Sequence, residues 1–436
     1  MRRLLFFISA LFFIESAYSQ VVVNEFCVAN YTDYAISGEN EDWIEFYNPT
    51  GAPIDIGGYW LSDNITNPQK FAIPAGTSVP ANGYRLILMS GTFEFNPGYL
   101  GQINTNFKVT QTAGEQIVFS NPAGVVLESF DFSTLSPNQA NHSYGRSSDG
   151  ANDFVIFLDP TPNASNVGTT GIAYAARPQF SLEAGYYATG TTVSITTSEP
   201  GATIYYTTDG SFPTNASTLY TGPVTIDVTK VIRAIAYSPD VSILPSFIET
   251  NTFFTGADQH TVVIASVSGP TLSDGSWWGD EAMHLELFNA SGNFIVEASG
   301  DSNEHGNDSN AYAQRGFDYV TRDAMGYDNE VEYPIINSRD RNGYERLIFK
   351  AAANDNYPFS NGGAHIRDAY VCELSIRGGL KLDERSTESC VVYINGQFWG
   401  VYEIREKVDD IDFTDHYYDQ PEGFVDFMKT WGGNMG

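Results

Sequence analysis

Residues 389–410 read SCVVYINGQFWGVYEIREKVDD. Asn395-Gly396, set between two β-rich runs, is the dipeptide of a two-residue type I′ hairpin turn. Trp399, Val401 and Tyr402 carry the second strand beyond it. Immediately upstream, residues 365–380 read HIRDAYVCELSIRGGL, where Ile366, Ala369, Tyr370 and Leu374 recur at helical spacing and Gly378-Gly379 supplies a stop. Further back, RLIFKAAAND (346–355) runs from apolar to polar. Residues 284–326 read as strand, turn, strand, polar loop, strand, with the turn at Asn289–Gly292 and the loop at Gly300–Asn310. HTVVIASVSG (260–269) opens this region, and DIDFTDHYYD (410–419) predicts a second helix. Residues 258–436 are therefore expected to be α+β: strands, a helix, a hairpin and a helix.

The chain before this region reads as all-β. In 21–168, short strands recur every 8–12 residues between turn signals. DWIEFYNPTG (42–51) alternates Trp43, Glu45 and Tyr47 with Ile44, Phe46 and Asn48 before an Asn-Pro-x-Gly turn, and EQIVFSNPAGVVLESFDF (115–132) reads as a hairpin. This predicts an immunoglobulin-like β-sandwich. Asp42 and Glu45 invite an acid–base reading, but one of the two alternating faces of a surface strand explains them better. Residues 172–256 predict a second sandwich. TTVSITT (191–197) and TIYYTT (203–208) are parted by Glu199-Pro200-Gly201, and Asp209-Gly210 marks a turn. Asp209 and Ser211 need no metal, since an Asx turn accounts for both. Tyr205, Tyr206 and Tyr220 are expected in cross-strand or core packing, with sugar stacking the alternative.

The whole chain has 436 residues, which suits two to four domains. It is 42% hydrophobic and 14% aromatic, enough for several cores. Lys+Arg number 22 against 53 Asp+Glu, a net charge of −31. That balance argues against nucleic acid as a partner, because phosphate binding needs a basic face. It also disfavours docking on anionic membranes. Residues 1–19, MRRLLFFISALFFIESAYS, combine Arg2 and Arg3, an apolar core at 4–14 and a small-x-small ending, the plan of a secretory signal peptide. No later stretch is long and apolar enough to span a membrane. The protein is expected to be secreted or held at the cell surface. Its three cysteines are too few for a disulfide framework; Cys372 and Cys390 could pair, or all three could be buried thiols.

Three resemblances sharpen this plan. Asn24-Glu25-Phe26, DWIEFYNPTGAPIDIGGYWLSDN (42–64), IPAGTSVPANGYRLI (73–87) and SYGRSSDG…PTPNASN (143–166) resemble bacterial lamin-tail domains, which implies a binding or tethering module without known chemistry. IYYTTDGSFPT (204–214), LYTGPV (219–224) and VIRAIAY (231–237) resemble the small β-sandwich appended to chitobiases and β-hexosaminidases, an accessory domain rather than a catalytic one. YINGQFWGVYEIREKVD (393–409), the stretch 305–335, FKAAANDNYPFSNGGAHIRDAY (349–370) and VDFMKTW (425–431) resemble the CotH family of spore-coat-protein-H kinases, over 260–436. The expected fold is thus mostly β: two immunoglobulin-like sandwiches followed by part of an atypical-kinase-like lobe.

The CotH resemblance implies transfer of the ATP γ-phosphoryl group to Ser or Thr of exported proteins, with ATP and Mg²⁺ as cofactors of the full-length form. The catalytic and metal-binding aspartates of that family have no counterpart in these residues. They are expected beyond residue 436, so the chain alone is expected to be inactive, and no metal ligand is expected within it. Within the region present, phosphoryl transfer needs a cation on the phosphates and a helix acid to hold it. Arg315, Arg322 and Lys350 are the candidate cations and Glu373 the helix acid. His305 and Gly306 would bring a loop against phosphate, and Glu403 and Glu406 would sit where a hinge meets adenine. Each has a plain alternative as a surface charge. The expected partner is an exported protein or a cell-surface polymer. The competing reading is a non-catalytic adhesion or structural surface protein with a degenerate kinase-like scaffold. A glycosidase reading lacks an identifiable acid pair.

Overall fold

Alternating β-branched and aromatic residues between Gly, Pro and Asn turns produce strands almost throughout, and the described residues are mostly β with two α-helices. The computed structural model describes residues 21–32, 40–91, 102–256, 260–270, 281–306, 314–326, 329–352, 355–356, 363–380, 382–409 and 411–420. The signal peptide expected at 1–19 and the stretch 425–431 lie outside them.

The first module is a sandwich. A six-stranded sheet runs in the order Thr170–Gly171, Phe154–Phe157, Ser143–Arg146, Val22–Cys27, Asp42–Asn48, Gly83–Met89. It faces a four-stranded sheet of Phe71–Ala72, Trp60–Ser62, Gln116–Ser120 and Val126–Asp131. Phe26, Ile44, Phe46, Ile87, Ile117 and Phe119 fill the space between.

The surface-strand reading of Glu45 is overturned. Strand Asp42–Asn48 lies between two others and is buried on both faces. Glu45 and its cross-strand neighbour Glu25 are both fully buried. Glu25 accepts hydrogen bonds from Ser143 Oγ, Thr161 N and Thr161 Oγ1, and Glu45 accepts from Asn24 Nδ2 and Asn163 N. The two carboxyls thus fasten the 161–163 segment onto the sheet, a structural duty rather than acid–base chemistry.

The second module has a five-stranded sheet in the order Gly185–Tyr187, Glu249–Thr255, Lys230–Tyr237, Thr203–Thr207, Thr218–Leu219. Its core is formed by Val193, Ile195, Ile226, Ile232 and Phe253. Asp209 Oδ1 accepts from Ser211 N and Oγ, an Asx turn. Tyr205 packs on Tyr237 and Tyr206 on Tyr220.

The third region is a closed barrel of seven strands. We label them β1 (Val263–Ser268), β2 (Glu281–Phe288), β3 (Phe294–His305), β4 (Gly316–Thr321), β5 (Arg346–Lys350), β6 (Thr387–Ile394) and β7 (Gln397–Glu406). Helix α1 (Arg367–Arg377) connects β5 to β6, and α2 (Ile411–Tyr418) follows β7. Around the barrel the order is β1-β2-β3-β4-β5-β7-β6, and a parallel β6–β1 pairing closes it. Asn395 and Gly396 both have positive φ, 49° and 78°, as the β6–β7 type I′ turn requires. Ala265, Leu285, Ala298, Phe317, Tyr319, Phe349, Val392 and Ile404 point inward.

The structure corrects one expectation here and decides one open alternative. Residues 300–305, assigned to a polar loop, continue β3 and pair with β4. Their polar character misled the reading, because Gly300, Asp301 and Ser302 are buried. A Cβ at Gly300 would lie 1.9 Å from Val320 O, so the strands meet only because this position is bare. Cys372 and Cys390 do not pair; both are free thiols, as is Cys27. Cys390 belongs to the barrel's inner cluster, whereas Cys372 lies on α1.

The modules are docked on one another. Phe254 of the second module stacks on Tyr186 and meets Phe288 and Tyr393 of the barrel at ring-centroid distances of 5.2 and 4.9 Å. Ala184, Ile264 and Val391 join this shared apolar seam. The first module touches the barrel where Gln111 N donates to Asp323 Oδ2, 2.8 Å.

Burial pushes Glu45 from 4.5 up to about 8. A carboxyl raised by folding contributes stability that is fully present below its unfolded pKa and lost as pH rises through the folded one. Because the amide nitrogen of a glutamine cannot accept from Asn24 or Asn163, Glu45→Gln should melt below wild type at pH 4.5, by a margin that shrinks or reverses at pH 9. Thermal unfolding followed by calorimetry checks this; an equal difference at the two pH values contradicts it.

Candidate functional site

Side-chain alternation gives the barrel wall two chemistries. Phe317, Tyr319, Leu347, Phe349, Tyr402 and Ile404 face inward, so Asp318, Ile348, Lys350, Glu403 and Arg405 face outward on the neighbouring strands β4, β5 and β7. Lys350 lies opposite Glu403 and Ile348 opposite Arg405. Helix α1 supplies the lid of this patch. Asp368, in its first turn, accepts from Lys350 Nζ at 2.7 Å and from Arg405 Nη1 at 2.5 Å. Arg405 also donates through Nε (3.1 Å) and Nη2 to Glu403 Oε2. A second chain of charges adjoins it on β4. His305 Nδ1 is 2.6 Å from Asp318 Oδ1, and Lys407 Nζ donates to Asp318 Oδ2 at 2.7 Å.

Burial ranks these charges. The side chains of Arg405 and Glu403 are 1% and 6% exposed, so their pair is inside the protein. Lys350 is 19% exposed and Asp368 53%, so their pair opens to solvent. For Asp368, burial would raise the carboxyl, but hydrogen bonds from Lys350 and Arg405 outweigh it and hold it well below the usual carboxylate range. Asp318 is lowered in the same way, burial being overcome by His305 and Lys407. Burial would lower the Arg405 guanidinium, and the Glu403 and Asp368 charges raise it instead. The patch is therefore a fixed set of alternating charges with Lys350 at its solvent edge.

The sequence candidates divide between places. His305 ends β3 and Gly306 follows with φ 95°, opening the connection to β4. Arg315 immediately precedes β4, and its carbonyl accepts from Tyr402 Oη. Lys350 ends β5 at the same end of the barrel, and Glu403 stands opposite it. These five positions are brought together. Arg322 is not: it follows the far end of β4 and donates to Asp301 Oδ2 at 2.7 Å, beside a cleft of about 570 Å³ shared with the first module. Glu373 is not the acid that meets the strand cation. It accepts from Arg377 one turn on, and Asp368 is the helix acid that meets Lys350. Glu406 is fully buried, 3.5 Å from Arg339 and from Arg341, and accepts from Tyr417 Oη at 2.8 Å. It anchors α2 rather than facing the outer patch. Glu403 lies across from Lys350 and accepts from Arg405.

Sequence reasoning missed Asp318, Asp368, Arg405 and Lys407. A signal existed for two of them: Glu403, Arg405 and Lys407 alternate along the end of β7 and the residue just after it, the spacing that puts charges on one face. Asp368 stands in the first turn of its helix, where a carboxylate is favoured, but choosing it over Glu373 required the helix's orientation on the barrel.

These features define a charged strand–helix clamp on a β-barrel behind two β-sandwich modules. Comparison with known families gives three matches in that order. The Lamin Tail Domain matches residues 15–134, the Chitobiase/beta-hexosaminidase C-terminal domain residues 182–241, and the CotH kinase protein family residues 303–425. The last begins inside β3, so β1 and β2 lie outside it although the resemblance was read from residue 260. No curated protein matches the chain.

Truncating one side of the clamp should separate its parts. Arg405→Ala strands the buried Glu403 carboxylate and should cost about 3 kcal/mol, the range for breaking a buried pair. Glu373→Ala, which removes an exposed pair on α1, should cost under about 0.5 kcal/mol. Urea unfolding measures both. A cost for Arg405→Ala as small as that for Glu373→Ala would mean the pair is solvated.

Proposed function

We propose that residues 260–420 form the nucleotide-phosphate-binding part of a CotH-type kinase, carried outside the cell and positioned by the two sandwiches. The observation that carries this reading is the 2.7 Å pair between Lys350, at the end of a barrel strand, and Asp368, on the helix that follows it. A strand lysine held by a helix acid is the arrangement that presents a cation to the α/β-phosphates in kinases. The residues suit that group. Lys350 reaches solvent, and its position is set by Asp368. The CotH family match over 303–425 spans every residue of this clamp.

In this role Lys350 would hold phosphate oxygens, Asp368 orients Lys350, and Arg405 orients Asp368 from within the wall. Phosphoryl transfer depends mainly on positioning and charge neutralisation. Bound ATP with Mg²⁺ supplies the transferable group, and the phosphate acceptor is proposed to be a hydroxyl of an exported protein. The lamin-tail-like and chitobiase-like modules are proposed as tethers to a surface or polymer, and the acidic composition suits a soluble exported protein. Among the described residues no helix is long and apolar enough to cross a membrane.

One observation favours a non-catalytic surface scaffold instead: Asp368 is shared with Arg405, so the clamp is already neutralised without phosphate. Nucleotide binding separates the two. The full chain should gain thermal stability with Mg-ATP, by about 2.7 kcal/mol at a hundredfold excess over Kd. Lys350→Ala should abolish that gain, Asp368→Asn should reduce it, and Glu373→Gln and Arg322→Ala should leave it. No stabilisation at millimolar Mg-ATP sinks the nucleotide reading and favours the scaffold.

A further inference from the structure

A second set of side chains gathers on the opposite part of the barrel's outer wall, where the second module is docked. His284 and Glu286 lie two residues apart on β2 and share a face. Ser299 stands across from His284 on β3, and Glu297 across from Glu286. The ligating atoms of His284, Glu286 and Glu297 all lie within 4.8 Å of one another. His284 and Glu286 are 1% and 0% exposed, whereas the Glu297 side chain is 27% exposed.

The dimensions suit a small cation. Zinc holds nitrogen and oxygen ligands at about 2.0–2.2 Å, which sets tetrahedral neighbours roughly 3.4 Å apart. His284 Nε2 and Glu297 Oε2 are 3.6 Å apart. Metal-binding side chains are also held from behind by outer partners, and here each inner ligand has one. His284 Nδ1 is 2.8 Å from Ser299 Oγ. With the hydroxyl accepting from Nδ1–H, Nε2 presents its lone pair to the carboxylates. Glu286 accepts from Thr252 N at 2.9 Å and from Thr252 Oγ1, which is itself 2.7 Å from Ser266 Oγ.

We propose that His284, Glu286 and Glu297 bind one divalent transition cation of the zinc type at the seam between the second module and the barrel. One imidazole and two carboxylates form a nitrogen–oxygen set, which suits Zn²⁺ or Co²⁺ better than the all-oxygen cages of Ca²⁺ and Mg²⁺. Three protein ligands leave a fourth position for water on the solvent side, where Glu297 is exposed. Thr252 belongs to the second module's strand Glu249–Thr255, so the outer partners reach across the seam. A bound cation therefore fixes how the second module sits on the barrel. This site is separate from the Lys350 clamp and does not depend on nucleotide binding.

The test uses the full chain, stripped with chelator and titrated with Co²⁺ and then Zn²⁺. The expected result is one equivalent of Co²⁺ with the strong visible absorption of a four-coordinate ion and no thiolate charge-transfer band, displaced by Zn²⁺. Glu297→Ala, at a partly exposed position, should keep the native circular dichroism spectrum and weaken binding at least tenfold. His284→Gln should abolish the visible band. If the buried His284 variant does not fold, the Glu297 variant carries the comparison. Binding of less than one equivalent, a thiolate band, or wild-type affinity in Glu297→Ala overturns the site.

Discussion

The parallel pairing of β1 with β6 is the constraint on which the third region depends. It joins Val263 to Cys390 and Val267 to Ile394 across more than a hundred residues of chain, and it turns an open sheet into a barrel. Closure fixes which side of every strand is inside. A one-residue slip would exchange Phe349 with Lys350 and Ile404 with Glu403, placing charges in the core. The outward charges of β4, β5 and β7 are thus a consequence of closure. So is the division of the outer wall, which offers Ile264, Phe288, Val391 and Tyr393 together with Glu286 to the second module and a charged side to α1.

Helix α1 is held differently from the rest of the fold. None of its residues is buried, and Tyr370, Val371 and Leu374 remain half exposed or more. It is positioned by ion pairs: Asp368 with Lys350 and Arg405, and Arg367 with Asp355. Under the proposed nucleotide role, phosphate and Asp368 address the same lysine, so ligand charge and helix position are coupled through Lys350. The Arg405–Glu403 pair beneath is buried and gives that exchange a fixed base.

Much of the architecture was legible in residue patterns. The Asn395-Gly396 turn, the helix before it and the short strands of both sandwiches all follow from local chemistry that tertiary packing did not override. Local patterns failed where burial was polar. Gly300–Glu304 looked like a loop because its side chains suit water, yet they complete a strand. Glu45 looked like a surface residue because alternation says nothing of a second sheet partner or of the 161–163 segment folded over it. In the candidate site, Lys350, Arg315, His305, Gly306 and Glu403 lie at one end of the barrel, whereas the helix acid that meets Lys350 is Asp368 and not Glu373 five positions on. Helical periodicity gives a face, whereas the angle at which α1 crosses the barrel is set by partners 37 residues away at Arg405.

Nucleotide phosphate on the Lys350–Asp368 clamp can be read with an ATP acyl-phosphate, which transfers its acyl group to a lysine lying beside the bound phosphates. After digestion and mass spectrometry, Lys350 should be acylated ahead of every other lysine, with the labelling blocked by excess ATP and reduced by Asp368→Asn. Labelling spread over Lys70, Lys108 and Lys230 regardless of ATP, with Lys350 unmarked, would contradict it.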